Sequence, residues 1–171
     1  MLNLFRFIIC RRERDVSLLY TSYVPMQTIT KPQQYPEALI APMRQDLLRF
    51  GVEEARTASQ VDALLAPDSG SVMIVTNSVC GCAAGRARPG IGLALRHSVL
   101  PNRKASVFAG ADIEAVARVR ERLAGIPPSS PSVALFQDGK PVFVLHRHEI
   151  ESREAPEIAR LLTVAFDRYC L

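Results

Sequence analysis

Two cysteines separated by a single glycine lie in the stretch NSVCGCAAGRARPG, residues 77–90. Cys80 and Cys82 follow an apolar run typical of a buried strand and precede a helical pattern. This spacing is compatible with a redox-active disulfide, with half of a metal site, or with packing alone. At a helix N-terminus the backbone N–H groups are unpaired and the helix dipole is positive, so an anion is stabilised there.

The redox hypothesis assigns a different task to each residue of this triplet. We expect the helix N-terminus to lower the pKa of the Cys80 thiol, so that its thiolate attacks disulfides near neutral pH. Cys82 lies further into the helix and is expected to be more shielded and to resolve the mixed disulfide. Gly81 is expected to supply the backbone freedom that so short a ring needs.

Composition limits the classes of protein to which the chain can belong. Its 171 residues, 48% hydrophobic and 22% charged, are typical of one globular domain. The net charge is +4, of which residues 1–25 carry half, and no basic stripe follows them, so we expect no nucleic-acid partner. No segment approaches the roughly 20 apolar residues of a membrane span, and residues 5–10 precede their positive charges, the wrong order for a secretory signal. Four cysteines are too few for a disulfide-stapled secreted scaffold, so we predict a cytoplasmic protein without membrane contact.

Hydrophobic periodicity divides the chain into two regions. Residues 1–34 show no sustained pattern and are predicted to form a poorly ordered N-terminal extension, whereas residues 35–171 are predicted to form the folded domain. Helices are predicted in YPEALIAPMRQDLLRFG (kinked at Pro42 or starting near Ala41), TASQVDALLAP, CGCAAGRARPGIGLALRHSV (bent or interrupted near Pro89 and Gly90), DIEAVARVRERLAG and EAPEIARLLTVAFDRYC.

The strands complete a recognisable order of elements. Strands are predicted in VEEAR, SVMIVTNS, KASVFAG and PSVALFQDGKPVFVLHRHEI, and Asp138-Gly139 divides the last into a hairpin. Thr57 or Ser59 is expected to cap the second helix, and Asp112 the fourth. Alternating helices and strands followed by a hairpin predict an α/β fold, with a mixed sheet flanked by helices on both faces. This is the plan of the thioredoxin-like fold with an added N-terminal helix.

Five motifs occur together and in order: VTNSVCGCAAGRARPG, VFAGAD, PPSSPSVALF, RHEIE and FDRYC. With them, residues 35–171 resemble the bacilliredoxin family, thioredoxin-like bacterial proteins with a Cys-Gly-Cys site. The resemblance implies a thiol–disulfide oxidoreductase that removes the low-molecular-weight thiol bacillithiol from protein mixed disulfides, with weak disulfide reductase or isomerase activity. It implies Cys80 as the attacking thiol and Cys82 as the second cysteine. It also implies bacillithiol as co-substrate, no bound cofactor, bacillithiolated client proteins, and a bacillithiol disulfide reductase or similar reductant.

Residues outside the triplet are predicted to bind the substrate. Ser130 and Pro131 stand just before the first hairpin strand, where thioredoxin-like proteins have a cis-proline beside the active cysteines, although a plain proline-rich turn also fits. Arg86 and Arg88 follow the cysteines by about one and two turns. They are expected to favour the thiolate or to bind the carboxylates of bacillithiol, or else to be solvated surface arginines. The predicted substrate-binding residues are Gly81, Asn77, Arg88, Ser130 and Pro131.

The alternative function is a zinc-binding module without redox turnover. Cys80, Cys82, His146 and His148 offer four N and S ligands, and both histidines fall on one predicted strand. However, cysteine pairs in structural zinc sites are more often two to four residues apart, and the histidines lie near the far end of their strand. We therefore predict that the chain holds no metal.

The remaining polar residues receive structural interpretations. Arg147, His148 and Glu149 are expected to end the last strand and to cap or pair with the final helix. His97 is interpreted as a charge at a helix C-terminus. Cys170 is either a half-exposed thiol without a role or an additional resolving or intermolecular cysteine.

Overall fold

The computed structural model describes residues 34–170, and one five-stranded sheet forms their centre. The strands are β1 (Glu53–Glu54), β2 (Ser71–Asn77), β3 (Arg103–Phe108), β4 (Ser132–Gln137) and β5 (Lys140–Leu145). Their order in the sheet is β1-β3-β2-β4-β5. The pairs β1–β3 and β3–β2 are parallel, whereas β2–β4 and β4–β5 are antiparallel. This is the mixed sheet of the thioredoxin-like fold, which confirms the predicted fold class.

Helices cover both faces of the sheet, as predicted. They are α1 (Glu37–Leu48), α2 (Ala58–Leu64), α3 (Arg88–Ala94), α4 (Ile113–Arg122), α5 (Arg147–Glu151) and α6 (Ala155–Tyr169). Within residues 34–170, every helix falls short of the length or the hydrophobicity that a bilayer crossing demands. The predicted extension over residues 1–34 lies outside the described residues apart from Gln34, so its order stays a prediction.

The central strand β2 separates two hydrophobic clusters. Its side chains alternate between the faces of the sheet because a strand has a period of two. Met73 and Val75 pack in one cluster with apolar residues of α3 and α6, and Val72 and Ile74 pack in the other with residues of α2 and α4. All of β2 is buried. Its C-terminal end therefore delivers the chain from a rigid core directly to the loop that bears the cysteines.

The helix that follows the cysteines changes its hydrogen-bonding pattern. Ala83–Ala87 form a π-helical segment, in which the N–H of Arg88 donates to the carbonyl of Ala83, five residues back. Pro89 follows soon after this segment, and because proline has no N–H to donate to the preceding turn, it lies where the hydrogen-bonding pattern of the helix changes. The helix that we predicted to be bent or interrupted near Pro89 and Gly90 thus has an irregular π-helical segment, which ends just before these two residues.

Other local predictions are confirmed or corrected by the structure. Thr57 caps α2 through a capping box, as expected. Asp138 and Gly139 both have positive φ, of 49° and 75°, which is the geometry of a type I′ hairpin turn. The first helix begins at Glu37 and includes Pro42, so a start near Ala41 is wrong.

The last predicted strand is shorter than its apolar pattern indicated. β5 ends at Leu145, and the residues after it form α5, which begins with a capping box between His146 and Glu149. Arg147 and His148 are therefore helical, and the expectation that His146 and His148 share one strand is wrong. Their rings stack instead, with centroids 5.6 Å apart.

Asp112 precedes α4 as predicted, but its side chain does not cap the helix. The carboxylate instead receives two hydrogen bonds from the Arg44 guanidinium, at 2.7 and 2.9 Å, and one from the Phe108 N–H at 2.7 Å. Burial lowers the pKa of Arg44, but the hydrogen bond and charge of Asp112 outweigh it with help from Glu54 and Glu37, so that the pKa is raised overall. This buried ion pair ties α1 to the loop between β3 and α4.

Candidate active site

Cys80 and Cys82 lie at the N-terminal end of the helix after β2 and are joined as a disulfide, with their Cα atoms 5.4 Å apart. The helical backbone begins at Gly81, so Cys80 occupies the N-cap position. Both cysteines are half-buried, and Gly81 between them is exposed. The pair is thus accessible at the carboxyl end of the central strand.

Two hydrogen-bond donors point at the sulfur of Cys80. The Ala83 N–H donates to Cys80 Sγ at 3.3 Å, in the way that an N-terminal helical N–H donates to the oxygen of a capping serine. The Ser78 hydroxyl donates to the same sulfur at 3.3 Å. After reduction of the disulfide, both donors would lie beside a thiolate, which hydrogen bonds stabilise more strongly than they stabilise a thiol.

Gly81 shows none of the backbone geometry that only glycine adopts. Its φ lies outside the left-handed region, and a Cβ atom added to it would meet no atom within 4 Å. The expected need for backbone freedom is therefore not apparent in the disulfide form. The open space above Gly81 leaves the cysteine pair uncovered on that side.

Cys80, but not Cys82, lines a cavity of about 270 Å³. The cavity walls come from the cysteine loop, from the loop after β3 and from the segment before β4, and they include Tyr35, Ser78, Gly110, Ser130 and Arg147. The Ser130–Pro131 peptide bond is cis, as predicted. The resemblance to the thioredoxin-like plan predicted Ser130 at this site, whereas nothing in the sequence pattern assigned to it Tyr35 or Arg147, which are 45 and 67 residues from Cys80 along the chain.

Arg88 lies beneath the cysteine loop instead of on the surface, with only 5% of its side chain exposed. Its Nε donates to Asp46 at 3.0 Å, and its Nη1 lies 3.2 Å from Asn77 Oδ1 and 3.3 Å from the Ser78 carbonyl. Burial lowers the pKa of Arg88, and the charge and hydrogen bond of Asp46 oppose that shift. With these partners, Arg88 supports the loop from below, and its predicted contact with substrate stays a prediction.

Asn77 is also buried and completes this network. Its Oδ1 accepts the N–H of Ser78 at 2.9 Å, and its Nδ2 donates to the Met43 carbonyl at 3.2 Å. Arg88 and Asn77 together hold Ser78, whose hydroxyl donates to Cys80. Arg86, by contrast, is partly exposed and bonds to the carbonyl of Glu151 on α5.

We expect Arg88→Met to slow the alkylation of reduced Cys80 at neutral pH by about tenfold. A hydrogen bond to a charged group is worth about 1.5–3 kcal/mol. Without Arg88, Ser78 would be held less firmly, and its hydrogen bond to the Cys80 thiolate would lose part of this free energy. The alkylation profile should move to higher pH and approach the wild-type rate once both proteins are fully ionised. The measurement is the rate of iodoacetamide reaction from pH 5 to 10.

Arg86→Met is the matched control for this prediction, because it removes the same group two residues away. It should leave the profile unchanged, and Arg88→Lys, which keeps a charge and one donor, should lie between wild type and Arg88→Met. A folded Arg88→Met protein with the wild-type profile would show that Arg88 does not act on Cys80.

The four residues of the zinc hypothesis do not come together. Among residues 34–170, no three side chains of histidine, cysteine, aspartate or glutamate are grouped closely enough to hold a metal ion. His146 instead caps α5 and lies 3.4 Å from the Ser129 hydroxyl. The alternative of a zinc module built on Cys80, Cys82, His146 and His148 is therefore wrong.

Cys170 lies at the opposite end of the sheet from the cysteine pair. It ends α6, it is half-buried, and burial raises the pKa of its thiol while a hydrogen bond from Ser71 opposes the shift. Ser71 begins β2 and Asn77 ends it, six steps of about 3.3 Å each, so about 20 Å separate this thiol from the cysteine loop. Cys170 therefore cannot resolve a mixed disulfide on Cys80 within this fold. An intermolecular role stays a prediction.

His97 follows α3, near the helix end where we expected a charge. Its Nε2 lies 2.7 Å from the Asp167 carboxylate on α6. It therefore links the two helices that cover this face of the sheet.

A disulfide at a helix N-terminus of a thioredoxin-like sheet, whose Cys80 shares a cavity with Ser130 of the cis Ser130–Pro131 peptide, is suited to thiol–disulfide exchange. The fold and the site together define a thioredoxin-like thiol–disulfide oxidoreductase.

Comparisons with known proteins identify the family within this class. Residues 35–170 match the family model described as disulphide isomerase. The chain is 50% identical to a bacilliredoxin of Koribacter versatilis (strain Ellin345) over 136 residues, which are 80% of this chain and 94% of that protein. It is 45% identical to a bacilliredoxin of Bacillus cereus (strain ATCC 14579) over 139 residues, 81% of this chain and 96% of that protein. The chain belongs to the bacilliredoxin family.

The solved structures to which the chain is similar include the oxidised thioredoxin of Plasmodium falciparum. The two share 15% sequence identity, with a TM-score of 0.49. The similarity covers 70% of this chain and 99% of that one.

Proposed function

We propose that this oxidoreductase removes bacillithiol, a carboxylate-bearing low-molecular-weight thiol, from mixed disulfides on client proteins. The observation that carries the proposal is the position of Cys80, whose sulfur receives two hydrogen bonds and lines the cavity beside Ser130. Membership of the bacilliredoxin family supports bacillithiol as the co-substrate and bacillithiolated proteins as the clients.

The first step is an exchange at the sulfur of bacillithiol. The Cys80 thiolate attacks that sulfur, the bond between bacillithiol and the client breaks, and the client leaves as a thiolate. Cys80 then carries bacillithiol as a mixed disulfide. The Ser78 hydroxyl and the Ala83 N–H stabilise the charge on Cys80 before the attack and orient its sulfur toward the cavity.

The second step uses the other cysteine of the pair. The Cys82 thiolate attacks the Cys80 sulfur, bacillithiol leaves as a thiolate, and the disulfide between Cys80 and Cys82 forms. A second bacillithiol molecule can instead attack the bound bacillithiol, which frees Cys80 and forms bacillithiol disulfide. Two electrons from a thiol reductant, such as a bacillithiol disulfide reductase system, then restore the starting state, and no bound cofactor takes part. We propose the cytoplasm as the compartment, because it keeps paired thiols reduced.

The test uses a client protein with one cysteine that carries bacillithiol. Intact-protein mass spectrometry should show the adduct leaving the client at a rate proportional to the concentration of the reduced oxidoreductase. Peptide mapping after rapid acid quenching should locate the transferred adduct on Cys80. A client that loses bacillithiol no faster than in buffer would contradict the proposed function.

A further inference from the structure

We infer that Arg147 is the receptor for a carboxylate of the small thiol that occupies the Cys80 cavity, and that it determines specificity for anionic thiols. The inference rests on the proposed function and deepens it. Arg147 is the one charged side chain among the described residues that line this cavity. The other lining residues are apolar or carry only hydroxyl and thiol groups. A ligand with a carboxylate therefore finds its counter-charge at a single point of the wall.

The backbone of Arg147 is anchored to the segment that precedes the cis-proline. Its N–H donates to the Ser129 hydroxyl at 3.2 Å, and the Ser129 carbonyl accepts the Ser132 hydroxyl at 2.9 Å. The capping box of α5, in which the His146 N–H donates to Glu149 at 2.9 Å, fixes the start of the helix. These hydrogen bonds hold the backbone of Arg147 in place beside the cavity that Ser130 and Cys80 also line.

The guanidinium of Arg147 has donors to spare. Half of the side chain is exposed, and its Nε donates to Glu151 Oε2 at 3.0 Å, one turn further along α5. Neither Nη atom donates a hydrogen bond to any residue in the described part of the chain. Exposed ion pairs of this kind are weak, so Glu151 orients the guanidinium without saturating it. An incoming carboxylate can bind both Nη atoms, in the bidentate geometry that arginine favours.

The binding leaves the chemistry of the exchange unchanged. The carboxylate of the small thiol stays ionised against Arg147. Meanwhile the sulfur of the small thiol forms a bond to Cys80, and the client leaves as a thiolate. A thiol held at two points, its sulfur and its carboxylate, has less orientational freedom to lose when it reacts, and this accelerates the exchange. A neutral small thiol gains nothing from Arg147.

The test compares three adducts on the same single-cysteine client. Bacillithiol and glutathione carry carboxylates, and 2-mercaptoethanol is neutral. Arg147→Gln should lower the second-order rate constant about tenfold or more for a carboxylate-bearing adduct and by less than twofold for 2-mercaptoethanol. Arg160→Gln makes the same charge change on the exposed side of α6 and should alter none of the rates.

The outcomes separate this inference from the proposed function. Equal rates for Arg147→Gln and wild type on both carboxylate-bearing adducts would overturn the inference and leave the proposed function standing. An equal loss on all three adducts would also overturn it, because it would indicate a damaged cavity instead of a lost counter-charge. A wild-type protein that acts on the glutathione adduct through Arg147 but not on the bacillithiol adduct would support the inference and contradict the proposed function.

Discussion

Cys80→Ser is expected to reduce the removal of bacillithiol from a client by about a thousandfold or more, which is the scale of loss when a covalent nucleophile is removed. A serine hydroxyl is not ionised near neutral pH and cannot replace the thiolate that Ser78 and Ala83 face. Cys82→Ser should behave differently. It should strip the client at close to the wild-type rate in a single turnover and then accumulate as a mixed disulfide between Cys80 and bacillithiol. Rapid-quench mass spectrometry distinguishes the two variants.

Cys170→Ser provides the matched control, since it makes the same substitution at the far end of β2. It should retain both the single-turnover rate and the multiple-turnover rate. The order of attack given above is wrong if Cys80→Ser still strips the client and Cys82→Ser does not, because the roles of the two sulfurs would then be reversed.

Asp112→Ala is expected to destabilise the domain by about 3–5 kcal/mol, the cost of breaking a buried ion pair from one side. The substitution leaves the Arg44 guanidinium, 4% exposed, without its bidentate partner, and it also removes the acceptor of the Phe108 N–H. Glu37 and Glu54 lie 3.3 and 3.6 Å from Arg44 Nε and offset only part of the loss. Urea unfolding of the oxidised protein, followed by circular dichroism, measures the effect.

Two further variants test the cause of that loss. Asp62→Ala removes an aspartate that also pairs with arginines, Arg118 and Arg122, but on the exposed surface, and it should change the midpoint of unfolding only slightly. The double variant Arg44→Met with Asp112→Asn removes both charges and keeps an acceptor for Phe108. It should be more stable than Asp112→Ala, because no buried charge is left unpaired. A double variant less stable than Asp112→Ala would show that packing, and not the buried charge, dominates.

This ion pair also bears on the site. Asp112 holds the N–H of Phe108 at the end of β3, and the next residues of the chain, Ala109 and Gly110, line the Cys80 cavity. Gly110 has a φ of 82°, and a Cβ atom on it would lie 2.6 Å from the Tyr35 ring. We therefore expect variants of Arg44 and Asp112 to lower the rate of thiol exchange in addition to stability.

Local patterns in the sequence were sufficient to predict the fold and the two cysteines whose sulfur atoms react. The apolar run of β2, the alternation of helices and strands, and the Asp138-Gly139 turn each follow from propensities of neighbouring residues. The same holds for Cys80 and Cys82, because their chemistry depends on their position where a strand ends and a helix begins. These features involve short distances along the chain, and that is why pattern and spacing predict them.

The surroundings of the sulfur were decided by tertiary structure alone. The sequence did not show that Arg88 is buried beneath the loop and bonded to Asp46, 42 residues away, or that Arg147, which was assigned a structural role, lines the cavity. Asp112 was expected to cap its own helix but binds Arg44, 68 residues away. The physical reason is the same for Arg88 and for Asp112. A charged side chain takes the partner that folding brings within about 3 Å in a desolvated place, and one sequence does not record which distant residue that is.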